Sequence, residues 1–373
     1  MSEPIRVLQV VTHMNRGGLE TMLMNYYRNI DKSKVQFDFL THRPENEKKD
    51  YDDEILELGG KIFHIRMLNP FLPQYYKELR LFFENHPEYK IIHVHQDCLS
   101  SIILKVARDC GVSVRIAHCH SSNQDKNIKY LIKVFSKRYI KHYATDMISC
   151  SEASGKWMFG EKTKFTILPN AIDTEQFSFS PVIRTQMRAN LGYCDSDIVI
   201  GNVGRFCKVK NHSFMIEICK SIHNINPNYK MIFVGSGELL EEIKSKAKAL
   251  NLLKDIKFCG MRSDVPDLLQ AMDIFILPSL YEGTPVSVIE AQTSGLKCFI
   301  SDKVPSDCIL SDLVKQLPLE SSAEDWANEI MASSIEKRKS YKSAIVNAGY
   351  DIGRNAKFLE NYYILKYGHE ELK

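Results

Sequence analysis

Two hydrophobic rhythms alternate along this chain. Short runs rich in β-branched residues, "RVLQVV", "QFDFL", "KIFHI", "IIHVH" and "VSVRIAHC", are separated by longer segments with apolar positions every three or four residues: "GLETMLMNYYRNI", a stretch near 50–58, "YYKELRLFF" and "SSIILKVARDC". Strand then helix, repeated, predicts a parallel sheet, because a parallel connection needs a crossover and the crossover helix covers the sheet. The rhythm restarts at "DIVIGNVG" and continues through "KMIFVGSG", "DIKFCG", "MDIFILP" and "LKCFIS". Between the two series lies "LPNAIDTEQFSFSP", whose Pro and Asp residues break both periods. The expectation is an α/β protein of two doubly wound domains, residues 1–175 and 176–352. Ligands of such open sheets sit beyond the carboxyl ends of the strands, so the loops that follow strands are where chemistry belongs.

Composition agrees with this division and removes other classes. A chain of 373 residues, 44% hydrophobic, suits two cores, since single cores stop growing at about 250–300 residues. No low-complexity tract or solenoid period is visible. The start, "MSEPIRVLQVV", leads directly into a strand, and its apolar run is far shorter than a signal-peptide core or a span of about 20 residues, so a cytoplasmic protein is expected. Ten cysteines are scattered with no C-x-x-C pair, which argues against a zinc ribbon or redox motif and for small buried hydrophobes in a reducing compartment. A net charge of +3, with the whole excess before residue 176, is too small for wholesale nucleic-acid binding.

Four loops after strands carry candidate chemistry. In "VVTHMNRGGLE", Gly17 and Gly18 open a helix and offer close backbone approach with free N–H groups for an anion. A G-x-G-x-x-G fingerprint is missing: "VGSGELL" has Leu240 where the third glycine falls, which weighs against a nicotinamide oxidoreductase. In "NVGRFCKVKNH", Arg205 and Lys210 can neutralise a diphosphate from two directions. In "YEGTPVSVIEAQTSG", Thr284 suits an N-cap and Pro285 the first helical position, so a helix is expected from there to Gly295. Its first amides would hold a phosphate, Glu290 would reach a hydroxyl beside that phosphate, and Glu282 would accept hydroxyls from the loop. In "VRIAHCHSSN", His118 and His120 lie just beyond a strand. Alternation puts His93 and His95 of "HVHQD" on one face, but no carboxylate cluster completes a metal site, so no metal is expected and a histidine contacting a sugar hydroxyl is preferred.

"GGLE", "AHCH", "PNAID", "VGRFCKVKN", "VGSGEL" and the E-x7-E of "YEGTPVSVIE" stand in one order over roughly residues 5–315. This combination resembles the retaining glycosyltransferases of family 4, most closely those of bacterial exopolysaccharide and capsule assembly. The resemblance implies the GT-B architecture, two Rossmann-like doubly wound domains facing a central cleft, with the last helix (353–373) returning to the first domain. It implies a nucleotide-sugar donor, a UDP-sugar, and a glycan or lipid-linked acceptor, with no metal or other cofactor. Residue by residue, Arg205 and Lys210 would grip the diphosphate, Glu290 the ribose and Glu282 the transferred sugar. Gly283, Thr284, Pro285 and Val286 would line the phosphates and sugar, and Gly17 and Gly18 would face the phosphates. His120 would contact the sugar, with His118 in reserve, and Arg262 falls in the nucleotide-base loop. Ala171 departs from the family's glycine at that position. The implied chemistry is front-face attack assisted by the departing phosphate. A GT-B nucleotide-sugar epimerase and a non-catalytic nucleotide-binding protein are the alternatives.

One segment is left over. "KNIKYLIKVFSKRYIKHY", 126–143, places Ile128, Leu131, Ile132, Phe135 and Tyr139 at helical spacing among Lys126, Lys129, Lys133, Lys137, Arg138 and Lys141, with no acid. A basic amphipathic helix of this kind suits an anionic membrane surface, and equally a helix packed on its own domain.

Overall fold

Every residue of "VLQVV" and of "VQFDFL" is buried, the mark of strands covered on both faces. In the computed structural model, which describes residues 3–43, 48–120, 130–333 and 338–371, these segments fall in β1 (Ile5–Val11) and β2 (Val35–Thr41). With β3 (Ile62–His64), β4 (Ile91–Val94), β5 (Val114–Cys119), β6 (Asp146–Ser149) and β7 (Thr166–Ile167) they form a parallel sheet in the order β3-β2-β1-β4-β5-β6-β7. One face packs on the helices Gly18–Asn29 and Ile352–Glu371, the other on Pro73–Asn85 and Ser100–Asp109. These residues form one compact unit, Met1–Ala171 together with Ile352–Lys373.

The last helix is tied to this unit by packing and by polar anchors. Tyr363 is fully buried, edge-on to Phe37 at 5.9 Å between ring centroids. Glu360 accepts a bond from the Asp31 backbone N–H at 3.1 Å, and the Tyr362 hydroxyl donates to Asp146 at 2.9 Å.

The second unit, Ile172–Asp351, repeats the plan with β8 (Ile198–Val203), β9 (Tyr229–Val234), β10 (Ile256–Phe258), β11 (Ile274–Leu277), β12 (Lys297–Ser301) and β13 (Val314–Leu317). All pairings are parallel, in the order β10-β9-β8-β11-β12-β13. In each unit the winding reverses beside the first strand, between β1 and β4 and between β8 and β11. Diverging loops leave a crevice there at the carboxyl ends, which is where ligands bind such sheets. No helix among the described residues is long and apolar enough to cross a membrane.

Candidate active site

The loops after β8, β9 and β11 of the second unit are laced together. Gly204 N–H donates to Val234 O at 2.9 Å, Phe206 N–H to Ser236 O at 2.9 Å, and Leu280 N–H to Val209 O at 2.8 Å. Such contact explains the "VGSG" glycines. Gly235 (φ +142°) and Gly237 (φ +155°) adopt backbone that L side chains rarely take, and an added Cβ would stand 2.1 Å from Gly204 O and 2.4 Å from Phe206 O. These glycines serve loop-on-loop packing beneath Arg205.

That scaffold sorts the two candidate cations differently. Lys210 Nζ donates to Glu282 Oε1 at 2.7 Å, and the Ser279 hydroxyl donates to the same oxygen at 2.7 Å. Both side chains are largely buried, 18% and 11% exposed, so this pair is held in place. Glu282 Oε2 meets no donor among the described residues. Arg205 instead pairs with Glu238 at 3.1 Å, and both are open to solvent at 73% and 54% exposure. A surface pair of this kind is worth at most about 1 kcal/mol and exchanges partners readily. The structure therefore brings Lys210 and Glu282 together and leaves Arg205 on a separate partner. Arg262 lies on the exposed surface, held by Asp264.

The helix of the E-x7-E segment runs from Val286 to Thr293, with Pro285 as its N-cap, one position later than the sequence reading places it. Thr284 does not cap it, because its hydroxyl donates to Asp307 Oδ2 at 3.1 Å. The first helical amides are thus left uncapped by any side chain. Glu290 sits one turn in, and its carboxylate has neither a hydrogen bond nor an ion pair with any described residue. Burial alone pushes it up to about 7.

In the first unit the glycine turn after β1 already faces an acid. Glu20, in the first turn of helix Gly18–Asn29, folds back so that a Cβ on Gly17 would stand 2.3 Å from Glu20 Oε2. Its carboxyl bonds its own backbone N–H and lies 3.4 Å from His13 Nδ1, and burial raises it above its usual range. A Cβ on Gly18 would meet nothing within 4 Å. One amide of this turn, that of Glu20, is therefore already engaged by the chain's own carboxylate.

His120 follows β5 at the same edge, and it belongs to a cluster that sequence reasoning did not assemble. The rings of His93, His95, His118 and His120 lie 4.0–5.2 Å apart in successive contacts. His93, His95 and His118 are at most 4% exposed, and they present ring nitrogens within 4.8 Å of one another. Desolvation depresses all four rings, His93 and His120 to about 3. Gln9 on β1 and Tyr363 complete the set. Alternation gave the common face of His93 and His95, but nothing local signals Gln9 or Tyr363.

A separate cavity of about 390 Å³ in the second unit lies at the opposite, amino end of the strands, lined by Arg184, Asp273, Lys297 and Arg338. Arg338 is spent on the carbonyls of Leu269, Gln270, Met272 and Ser294. That arrangement clamps helix ends and is unlike the open crevice at β8 and β11.

Two doubly wound α/β units with charged loops at the reversal of the second are the GT-B plan of the glycosyltransferases. Residues 16–176 match the family described as Glycosyltransferase Family 4, and residues 183–350 match Glycosyl transferases group 1. EpsF of Bacillus subtilis, named as a glycosyltransferase, is 36% identical over 371 residues, covering 96% of each chain. A UDP-Gal:α-D-GlcNAc-diphosphoundecaprenol α-1,3-galactosyltransferase of Escherichia coli is 27% identical over 74% of this chain and 76% of its own. HepE from Anabaena, solved with UDP, shares the fold with a TM-score of 0.78 at 16% identity, covering 96% of this chain and 99% of that one. This chain belongs to the same glycosyltransferase family as EpsF, a family 4-type domain followed by a group 1 domain.

Proposed function

We propose that the chain transfers a sugar from a UDP-sugar to a hydroxyl of a glycan or lipid-linked acceptor in exopolysaccharide or capsule assembly, with retention at the anomeric carbon. The observation that carries this reading is the second unit's crevice: a buried Lys210–Glu282 pair and a desolvated Glu290, unpaired among the described residues, beside uncapped helix amides. Lys210 and Arg205 neutralise the diphosphate as its bond to the sugar breaks, which takes the place of a divalent cation. Arg205 leaves Glu238 to do so. Glu290 accepts the ribose hydroxyls, and the free oxygen of Glu282 accepts hydroxyls of the sugar. The amides of Gly283, Thr284 and Val286 hold phosphate and sugar oxygens, whereas Pro285, lacking an N–H, sets only the direction of the turn. Arg262 borders the base. The family resemblance assigns His120 a contact with the sugar, and Gly17 and Gly18 one with the phosphates. The acceptor oxygen attacks on the face the diphosphate leaves, and a departing phosphate oxygen takes its proton.

The E. coli relative, named for a UDP-galactose donor and a diphosphoundecaprenol-linked acceptor, supports the substrate class. A panel of UDP-sugars tested for acceptor-dependent UDP release should show turnover with one of them, and Glu290→Ala should weaken UDP binding about tenfold or more. An epimerised sugar from donor alone, or UDP binding unchanged by Glu290→Ala, would sink the reading.

The acceptor class bears on localisation. Lys126, Ile128 and Lys129 lie outside the described residues. The helix Tyr130–Lys137 and the turn after it expose Leu131 (75%), Phe135 (60%) and Tyr139 (41%) as one stripe, with Arg138 and Lys141 also exposed. We propose that this stripe rests on the anionic inner face of the cell membrane, where apolar rings enter the interface and cations meet headgroups. Arg138→Glu with Lys141→Glu should lower co-sedimentation with anionic vesicles at low salt, and undiminished binding removes the proposal.

A further inference from the structure

Four imidazoles, one amide and one phenol of the first unit form a chain of hydrogen bonds whose directions follow from its ends. Gln9 Nε2 donates to the Tyr363 hydroxyl at 3.3 Å. The hydroxyl in turn gives its proton to His93 Nδ1 at 2.6 Å, so His93 is protonated on Nε2 and donates to His118 Nδ1 at 3.1 Å. On the other branch Gln9 Oε1 only accepts, and it takes a bond from His95 Nε2–H at 2.9 Å. His95 Nδ1 is then a lone pair, met by His120 Nε2–H at 2.8 Å. Among the described residues the branches end on two buried nitrogens with no partner: His118 Nε2–H, a donor, and His120 Nδ1, an acceptor. Burial keeps every ring neutral, so each carries a single proton and the amide orientation of Gln9 sets all four. Turning that amide over would exchange donor for acceptor and present an N–H from His120 instead.

We propose that Gln9 and His95 are positioning residues that hold His120 as the Nε2–H tautomer, so that its Nδ1 accepts a hydrogen bond from a hydroxyl of the transferred sugar. The inference rests on the reading of His120 as a sugar contact. It makes the site selective for a sugar with a free hydroxyl at that point. A donor that is deoxygenated or O-alkylated there would leave a buried acceptor unanswered, and such sites discriminate strongly against the analogue that lacks the group. Gln9 reaches this control from the middle of β1, where it pairs in register with His93 of β4 and is fully buried.

Tautomers are measured directly by long-range proton–nitrogen correlation of the imidazole rings in 15N-histidine-labelled protein, with the His120 signals identified by their loss in His120→Asn. The expected pattern is a protonated Nε2 and an unprotonated Nδ1 for His120, and a proton on Nδ1 overturns the inference. A second arm uses calorimetry with UDP and with UDP-glucose and UDP-galactose. Gln9→Met should leave UDP affinity unchanged and weaken the sugar-bearing ligand about tenfold. Equal losses for UDP and UDP-sugar in Gln9→Met also overturn it. Failure of UDP to bind the wild type would instead sink the donor reading. If Gln9→Met does not fold, the tautomer of the wild type decides.

Discussion

The two units put opposite electrostatics at the same topological position. Beside β1 and β4 the first unit sets neutral rings, an amide and a phenol, nearly all of them sealed from water. Beside β8 and β11 the second unit sets ions: one largely buried pair, one open pair, and one carboxylate without a partner among the described residues. Burial explains the contrast. A charge in a sealed layer costs several kcal/mol, so a deep cluster is viable only when uncharged and internally bonded. The second unit's crevice keeps its ions, and its solvent-exposed Arg205–Glu238 pair is free to change partners. One unit is thus suited to matching hydroxyls, the other to receiving a charged leaving group.

The contrast breaks most sharply at Lys210. Lys210→Met removes the cation that the proposed function sets against the diphosphate and strands Glu282, and turnover should fall by about 100- to 1,000-fold. Steady-state UDP release checks this, and a loss under tenfold would mean that Arg205 suffices alone.

Next in size is a stability term of the second unit. Glu290 rises from 4.5 to about 7 in the fold, so its contribution is fully present below pH 4.5 and is lost as pH passes 7. Wild type relative to Glu290→Gln should lose roughly 3 kcal/mol between pH 4.5 and 8, read from urea unfolding at each pH. Ribose hydroxyls bond best to the ionised form, so UDP affinity should rise over the same range in wild type and stay flat in the variant.

The first unit should respond in the opposite sense. His42 is depressed to about 4 and His93 and His120 to about 3, all below 6.5, so their contribution is full above pH 6.5 and is lost as pH falls toward those values. About 1 kcal/mol per ring should be gone at pH 5.5. Hydrogen exchange at pH 5.5 and 7.5 should show β4 and β5 losing protection at the lower pH, while in the second unit the loss from His212, which burial depresses to about 4, is offset by Glu290 and β8 and β11 keep theirs.

The smallest effect separates backbone from ligand. Gly18→Ala places its Cβ in open space, so stability should change by only a few tenths of a kcal/mol. A weaker KM for the donor would then report contact with the ligand.

Much of this plan was legible in the chain's periodicity, because strands buried on both faces announce themselves as apolar runs. The strands that escaped notice are β6, β7 and β13, "DMIS", "TI" and "VKQL", which are short and mix polar with apolar residues. β7 and β13 are edge strands, with one neighbour each. The helix at Val286 was misplaced by one residue because the Thr284 hydroxyl is claimed by Asp307, 23 positions away, a contact that no local cap rule registers. Residues such as Lys210, Glu282 and Glu290 were visible because each follows a strand at a short, fixed distance. The histidine chain was not, since its polarity depends on a bond between Gln9 and Tyr363 across 354 positions.

That bond also orders events in time. Because the helix Ile352–Glu371 completes the first unit, that unit is assembled from segments on either side of Ile172–Asp351, and its strands must wait for a helix made after the whole second unit. During synthesis Ile172–Asp351 can close on its own contacts first, and the histidine chain acquires its proton order only once the following helix has been made.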